Sequence, residues 1–360
     1  MLCGLQLITT LTKSGNTRRR WVKMSSSKNY LDNIAHLRGV MIIFVILGHA
    51  LSIYVGNYAG HEMVESSVGG GLRAVIYSFH MPIFMAISGF LYYFEVKRAV
   101  DKKTMDGYGI FVLKKARRLL IPFVIVLYLW RKPLFFLADT KVYEGLTAAQ
   151  IVRSYLSVGT TGALWFLYVL FAIFVVQRLF ANIIWKSDRT VLVWLFVFAS
   201  LNVASVYFSG PIHHVMLYNY YFFLGTFIHK YQEKFIANQK KWLILTGIIG
   251  LIGTVGLLAM TLSGVLGSLY SMFLATADII FAVLISNKAK NVAAKVIRPI
   301  SDWSMGIYLF HEPLIVAVGS KLPEMGGVLL VLSFSIIGLG LSISMTILLR
   351  KIGLRFVMGE

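Results

Sequence analysis

The chain has 360 residues, of which 58% are hydrophobic and only 14% charged, and a formal net charge of +20. Its mean hydropathy is +0.74. A soluble domain carries about 25% charged residues, so an ordinary soluble protein is excluded; recurring apolar runs of about 20 residues identify an all-α, polytopic membrane protein. A single cysteine, Cys3, excludes an internal disulfide and argues against a thiol-borne acyl intermediate.

In chain order, residues 1–29 are basic and polar and are expected to form a disordered cytoplasmic segment, with Met24 an alternative start. No cleavable leader is expected, because the first long apolar run begins near Val40. Apolar runs then predict ten spans, at 39–56, 73–94, 118–137, 163–184, 190–208, 214–230, 242–262, 266–286, 302–319 and 327–349. Basic residues gather in alternate connections. Of the 35 Lys and Arg, 29 lie before span 1 or in 97–118, 178–189, 230–241, 288–298 and 350–355. Only Arg73, Arg131, Lys132, Lys141, Arg153 and Lys321 fall in the other set. This asymmetry predicts that both termini are cytoplasmic, and it accounts for the positive charge without a nucleic-acid partner. Within the long connection 131–162 a short amphipathic helix is expected around Thr147–Leu156, and Gly69-Gly70-Gly71 reads as a flexible loop. No internal repeat is visible, which weakens the inverted-repeat transporter architectures. The domain reading is one membrane domain over 30–352 and a cytoplasmic tail over 353–360.

Several ionisable residues sit inside these apolar runs, where they are costly and therefore functional candidates. Arg38 and His49 are separated by three helical turns plus about 20°, so they share nearly one face, about 16 Å apart along the axis. His80 lies at a similar depth in span 2, beside Pro82, which removes a backbone hydrogen bond. His80, Phe84 and Ser88 share one face. Neutral imidazoles suit general-base work; the alternative for each is a structural histidine bonded to a neighbouring carbonyl. Lys114-Lys115-Ala116-Arg117-Arg118 places four cations in five residues before Pro122, either a membrane anchor or an anion site in which the Arg forks match phosphate oxygens. Trp165 reads as an interfacial aromatic or as part of a site. In span 9, Ser304, Tyr308 and His311 form one stripe, with Glu312 beside it. Asp278 is the other mid-membrane acid, and either acid can orient an imidazole or pair with a cation. The sequence contains no nucleotide-binding glycine loop, metal-ligand spacing or nucleophile elbow, and no metal is expected.

Taken in order, these motifs make the chain, from about Tyr30 to Ile352, resemble the acyltransferase family 3 membrane proteins, the sugar O-acetyltransferases of bacterial envelopes. The resemblance rests on Arg38 followed by His49, on Phe79-His80-Met81-Pro82-Ile83-Phe84 with Ser88-Gly89-Phe90, and on Lys115-Ala116-Arg117-Arg118 before Pro122. It continues in Leu164-Trp165-Phe166-Leu167 and in the stretch Ser304–His311. Lys115 stands where the family's basic motif begins with Arg. The resemblance implies acyl transfer, usually of acetyl, from cytosolic acetyl-CoA to a hydroxyl of an envelope or extracellular carbohydrate, lipid-linked or polymeric, at the bacterial cytoplasmic (inner) membrane. Arg38, Lys115, Arg117 and Arg118 would hold the CoA phosphates. His49 would act as base or brief acyl carrier, and His80 would stabilise the oxyanion or orient the acceptor. Ser88, Trp165, Asp278, Tyr308, His311 and Glu312 remain substrate-binding or structural candidates. Membrane lipids and glycan-assembly proteins are the other expected partners. Some relatives carry an extracytoplasmic hydrolase-like domain, so this chain is expected to complete transfer itself or to hand over to a separate protein. The competing classes are a transporter or flippase of an envelope glycan or small polar solute, and a membrane scaffold.

Overall fold

The structure, a computed structural model, describes residues 16–55, 67–102, 107–138, 145–156, 161–286, 292–319 and 328–360. Among the described residues every regular element is helical. A backbone in hydrocarbon has no water to bond, so its N–H and C=O groups must be paired within the segment itself. The helices are α1 (Asn16–Val55), α2 (Ser67–Lys102), α3 (Tyr108–Val126), a π-helical turn (Leu127–Arg131), α4 (Lys132–Ala138) and α5 (Ala148–Leu156). A tight turn, Gly162–Leu164, leads into α6 (Trp165–Leu179), followed by α7 (Ala181–Ile184), α8 (Asp188–Ala204), α9 (Gly210–Lys230) and α10 (Gln232–Ala237). The chain continues through α11 (Gln239–Ala259), α12 (Gly264–Ser286), α13 (Val292–Gly319) and α14 (Val328–Lys351) to a last turn, Arg355–Met358.

Eight of the helical stretches are long and apolar enough to cross a membrane, making this a multi-pass membrane protein. The two remaining spans expected from the sequence, 214–230 and 302–319, are α9 and α13, of 21 and 28 residues. They are more polar because they occupy the interior. Asn219, Thr226 and His229 on α9, and Ser301, Ser304, His311 and Glu312 on α13, are all buried. Helix α11 is the converse, with Ile244, Ile248, Leu251, Ile252 and Val255 exposed to the lipid side. Polar helices take the inside because an unpaired polar group facing lipid is costly.

Some local expectations change. The glycines Gly69-Gly70-Gly71 belong to the first turns of α2 rather than to a loop. The amphipathic helix expected around Thr147–Leu156 is α5. Helix α1 begins at Asn16, while residues 1–15 of the expected N-terminal segment lie outside the described residues. The residues after 353 fold into the last turn, and Met358, Gly359 and Glu360 line a cavity described below.

Helices α1 and α13 pack along each other, as do α2 and α9. The second crossing is a backbone contact. A Cβ on Gly89 would collide with the Phe222 carbonyl, and one on Gly225 with the Ala86 carbonyl. The Thr226 hydroxyl donates to the Gly89 carbonyl at 3.0 Å, and His229 Nδ1–H to the Phe90 carbonyl at 2.6 Å. Small residues permit this approach, and hydrogen bonds across it then replace the hydrophobic drive that lipid removes. Gly225→Val is therefore expected to destabilise the protein by about 1–3 kcal/mol, the usual range for overpacking. Gly340→Val, at a site with nothing within 4 Å, serves as the neutral control; thermal unfolding of both in detergent, followed by size-exclusion fluorescence, checks the difference.

Candidate active site

A cavity of about 380 Å³ lies among α1, α2, α3, α6 and α13. Its polar end holds Arg38, Glu95, Lys115, Arg118, Asp302 and Glu360, and its walls are apolar, among them Met81, Phe84, Phe166 and Phe174. Arg38 donates from Nε to the Ser301 hydroxyl at 3.1 Å and from Nη2 to the Ser301 carbonyl at 3.0 Å. Lys115 pairs with Glu95 at 2.9 Å, and its ammonium stands 4.1 Å over the Phe174 ring. Glu360 pairs with Arg350. Among the described residues neither Arg38 nor Arg118 takes part in an ion pair. Arg117 is exposed and does not line the cavity: at 100° per residue, successive cations on α3 cannot all face one way. Ser88 lines the wall and donates to the Phe84 carbonyl at 3.0 Å.

A second cavity, of about 240 Å³, lies at the His49 end of α1, and His49, Tyr77, His80, Trp165, His214 and Tyr218 line it. Met81 and Tyr308 line both cavities, so the two approach end to end with these side chains between them. The Tyr308 hydroxyl donates to the Ala163 carbonyl, which fixes its half of the partition. His80 contacts the Ile76 carbonyl through Nδ1 at 2.6 Å. A carbonyl can only accept, so Nδ1 carries the proton and, in the neutral ring, Nε2 carries the lone pair. The Tyr77 ring centre stands 4.9 Å from that of His80 and 6.3 Å from that of His49. Trp165 lies 4.8 Å from His214 and 5.0 Å from Tyr218, ring centre to ring centre. It is thus part of an aromatic wall. Tyr77, His214 and Tyr218 were not singled out from the sequence. Their signal was weak: the i, i+4 spacing of His214 and Tyr218 is that of one helical face, but it opens a span with no motif around it.

Behind His49 lies α13. His311 is fully buried, and its ring centre is 5.1 Å from that of His49. His311 Nδ1 contacts the Ile307 and Tyr308 carbonyls at 3.0 and 2.9 Å. Glu312 accepts from Arg131 Nε at 3.0 Å and from Nη2 at 3.1 Å, a two-pronged pair with both partners buried. Arg131 ends the π-helical turn Leu127–Arg131, an irregularity that often marks functional sites. Gly162, at φ +51°, closes over the pair, and a Cβ there would collide with the Glu312 carboxylate and the Arg131 guanidinium. The pair therefore pins the start of α6 to α13. Of the two acids considered, Glu312 pairs with a cation. Asp278 lines a separate cavity of about 340 Å³ with His36 and Phe281 and does not join His49, His80 or His311. Arg131 was counted with the loop cations; its legible signal is an Arg-Lys pair, Arg131-Lys132, inside the otherwise uncharged run 119–137. Among the described residues no group of three or more His, Cys, Asp or Glu is placed to hold a metal ion.

Glu312→Leu alone should destabilise the protein by about 3–5 kcal/mol, because it strands a buried guanidinium. The double change Arg131→Leu with Glu312→Leu should recover much of that loss, and thermal midpoints of the two variants in detergent check the order.

In comparisons with known proteins, the family model described as "Acyltransferase domain" matches residues 30–349. Nodulation protein NolL of Sinorhizobium fredii (strain NBRC 101917 / NGR234) is 29% identical over 194 residues, 53% of this chain and 46% of that protein. Nodulation protein NolL of Mesorhizobium japonicum (strain LMG 29417 / CECT 9101 / MAFF 303099) is 26% identical over 191 residues, 53% and 45% of the two chains. The match thus spans about half the length of these curated relatives. No solved structure matches the chain.

Proposed function

This chain belongs to the acyltransferase family, and from that premise we propose that it moves an acyl group, acetyl in the simplest case, from acyl-CoA to a hydroxyl of an envelope carbohydrate. The observation that carries the reading is the pair of cavities meeting at Met81 and Tyr308, one with Arg38, Lys115 and Arg118 at its polar end beside three carboxylates, and one lined by imidazoles. The distribution of Lys and Arg supports a cytosolic position for the first cavity, in a bacterial cytoplasmic membrane. Arg118, and the N–H groups of Arg38 not spent on Ser301, are in no ion pair among the described residues and offer donors to the phosphates of CoA. Lys115 is engaged by Glu95 and contributes chiefly to the wall. The slender pantetheine arm runs along the apolar side of the cavity and brings the thioester to the partition. Met81, long and unbranched, can move aside with little strain.

The acceptor hydroxyl enters the second cavity, perhydroxylated sugar against the aromatic wall of Trp165 and Tyr218. His49 accepts the hydroxyl proton as the oxygen attacks the thioester carbonyl carbon. The C–S bond then breaks, CoA leaves as thiolate, and the proton passes from His49 to that thiolate. With its Nδ1 proton committed to Ile76, neutral His80 presents a lone pair at Nε2 and so suits orienting the acceptor hydroxyl better than donating to an oxyanion. The acceptor is carried on a lipid or polymer, and glycan-assembly proteins supply it.

Incubating membranes that contain the protein with radiolabelled acetyl-CoA tests this. Label is expected on membrane carbohydrate and should fall by about 10²–10⁴-fold in His49→Ala, the usual span for a lost general base. Transfer at the native rate in that variant would reject the mechanism. Arg38→Ala and Arg118→Ala should each raise the KM for acetyl-CoA by about tenfold or more, as expected for a lost charge-assisted contact, and leave the acceptor dependence in place. Two cavities with a partition between them also suit a transporter; that reading requires an unmodified solute to cross the membrane while no label reaches carbohydrate.

A further inference from the structure

His311 has no place in the chemistry above, yet its surroundings are unusually specific. It is fully buried and does not line the second cavity, whereas His49 does. Along the line from cavity to protein interior, His49 comes first and His311 second. His311 Nδ1 faces two carbonyls, so its proton sits on that nitrogen and Nε2 of the neutral ring can only accept. Among the described residues Nε2 has no hydrogen-bond partner. A buried acceptor left in that condition calls for a role. The two ring centres are 5.1 Å apart; His49 Nδ1 and His311 Nε2 do not bond to each other as the rings stand, but rings turned so that these nitrogens face each other bring them to about 2.8 Å, within hydrogen-bond range.

We propose that His311 is the positioning residue of the base, its Nε2 accepting the Nδ1 proton of His49 so that the His49 lone pair points into the second cavity. The proposal rests on the reading of His49 as the base. A neutral imidazole has two tautomers, and only the one with its lone pair toward the acceptor can take a proton from it. An orienting third group behind the base removes the wrong tautomer, an arrangement common to activated nucleophiles. The mount is stiff: one helical turn before His311, Tyr308 is tied to Ala163, and immediately after it Glu312 is tied to Arg131. From α2, Tyr77 stands 6.3 Å from His49, ring centre to ring centre, and both Tyr77 and His80 line the second cavity, which His311 does not.

The test uses the full chain in detergent, with acetyl-CoA as donor, water as acceptor and release of the CoA thiol as the signal. His311→Leu removes the acceptor atom and keeps a side chain of similar bulk; His311→Gln keeps an oxygen near the place of Nε2. The expected result is a fall in kcat of about 10²-fold for His311→Leu with the KM for acetyl-CoA changed less than about twofold, and recovery to within about tenfold of wild type in His311→Gln. Equal losses in both variants, or a His311→Leu protein as active as wild type, would overturn the proposal. If wild type and His49→Ala release thiol at the same rate, the reading of His49 as base is what fails, and the role of His311 falls with it. Should His311→Leu not yield folded protein, the Gln variant decides: activity as low as that of His49→Ala rejects the role.

Discussion

A charge that enters hydrocarbon must bring its partner with it, and in this protein the buried Arg131–Glu312 pair meets that demand. The two residues are 181 positions apart in sequence, so the contact can form only when the π-helical turn, α13 and the Gly162 turn have all reached their places. Gly162 is the only residue type that fits over the pair without a clash and at a left-handed φ. From that anchor the neighbouring groups follow in register. Ala163 receives the Tyr308 hydroxyl, Trp165 begins α6, and His311 is held one residue from Glu312. The part of the second cavity's wall formed by Ala163, Trp165 and Tyr308 therefore inherits its position from one buried ion pair.

Much of this was legible in the residues. Apolar runs locate the spans because the bilayer sets their length, and a polar group inside such a run stands out by its cost. Arg38, His49, His80, His311 and Glu312 were found in that way. Tertiary partnerships were not legible, since periodicity orders residues around one helix and says nothing about which helix faces it. Thus Glu312 and Asp278 looked equivalent as mid-membrane acids, and only the fold separates an acid bound to Arg131 from one in an apolar pocket beside His36. The same limit applies to the basic cluster. Four neighbouring cations read as one site, but helical geometry turns Arg117 outward, and Glu95, from α2, claims Lys115.

The ten expected spans also divide in a way composition cannot express. Helices α9 and α13 are not among the stretches apolar enough to cross a membrane on composition alone, and both bury polar side chains against their neighbours. Helix α9 meets α2 backbone to backbone at Gly89 and Gly225, and α13 lies along α1. His80 and His49, on two separate helices, both stand near the Tyr77 ring, at 4.9 and 6.3 Å between ring centres. The site is a product of the two most interior packings in the molecule.

The partition at Met81 and Tyr308 has a bearing on the host as well as on the reaction. Two cavities that approach each other through a bilayer would, if water fills them, shorten the insulating path between compartments, and each charge that leaks across it dissipates about 2.3 kcal/mol per 100 mV of membrane potential. A thioether and a phenol ring whose hydroxyl is already tied to a carbonyl make a septum with few groups to support a proton wire. On the proposed reading, the two side chains that part donor from acceptor would also limit proton leak between the cavities.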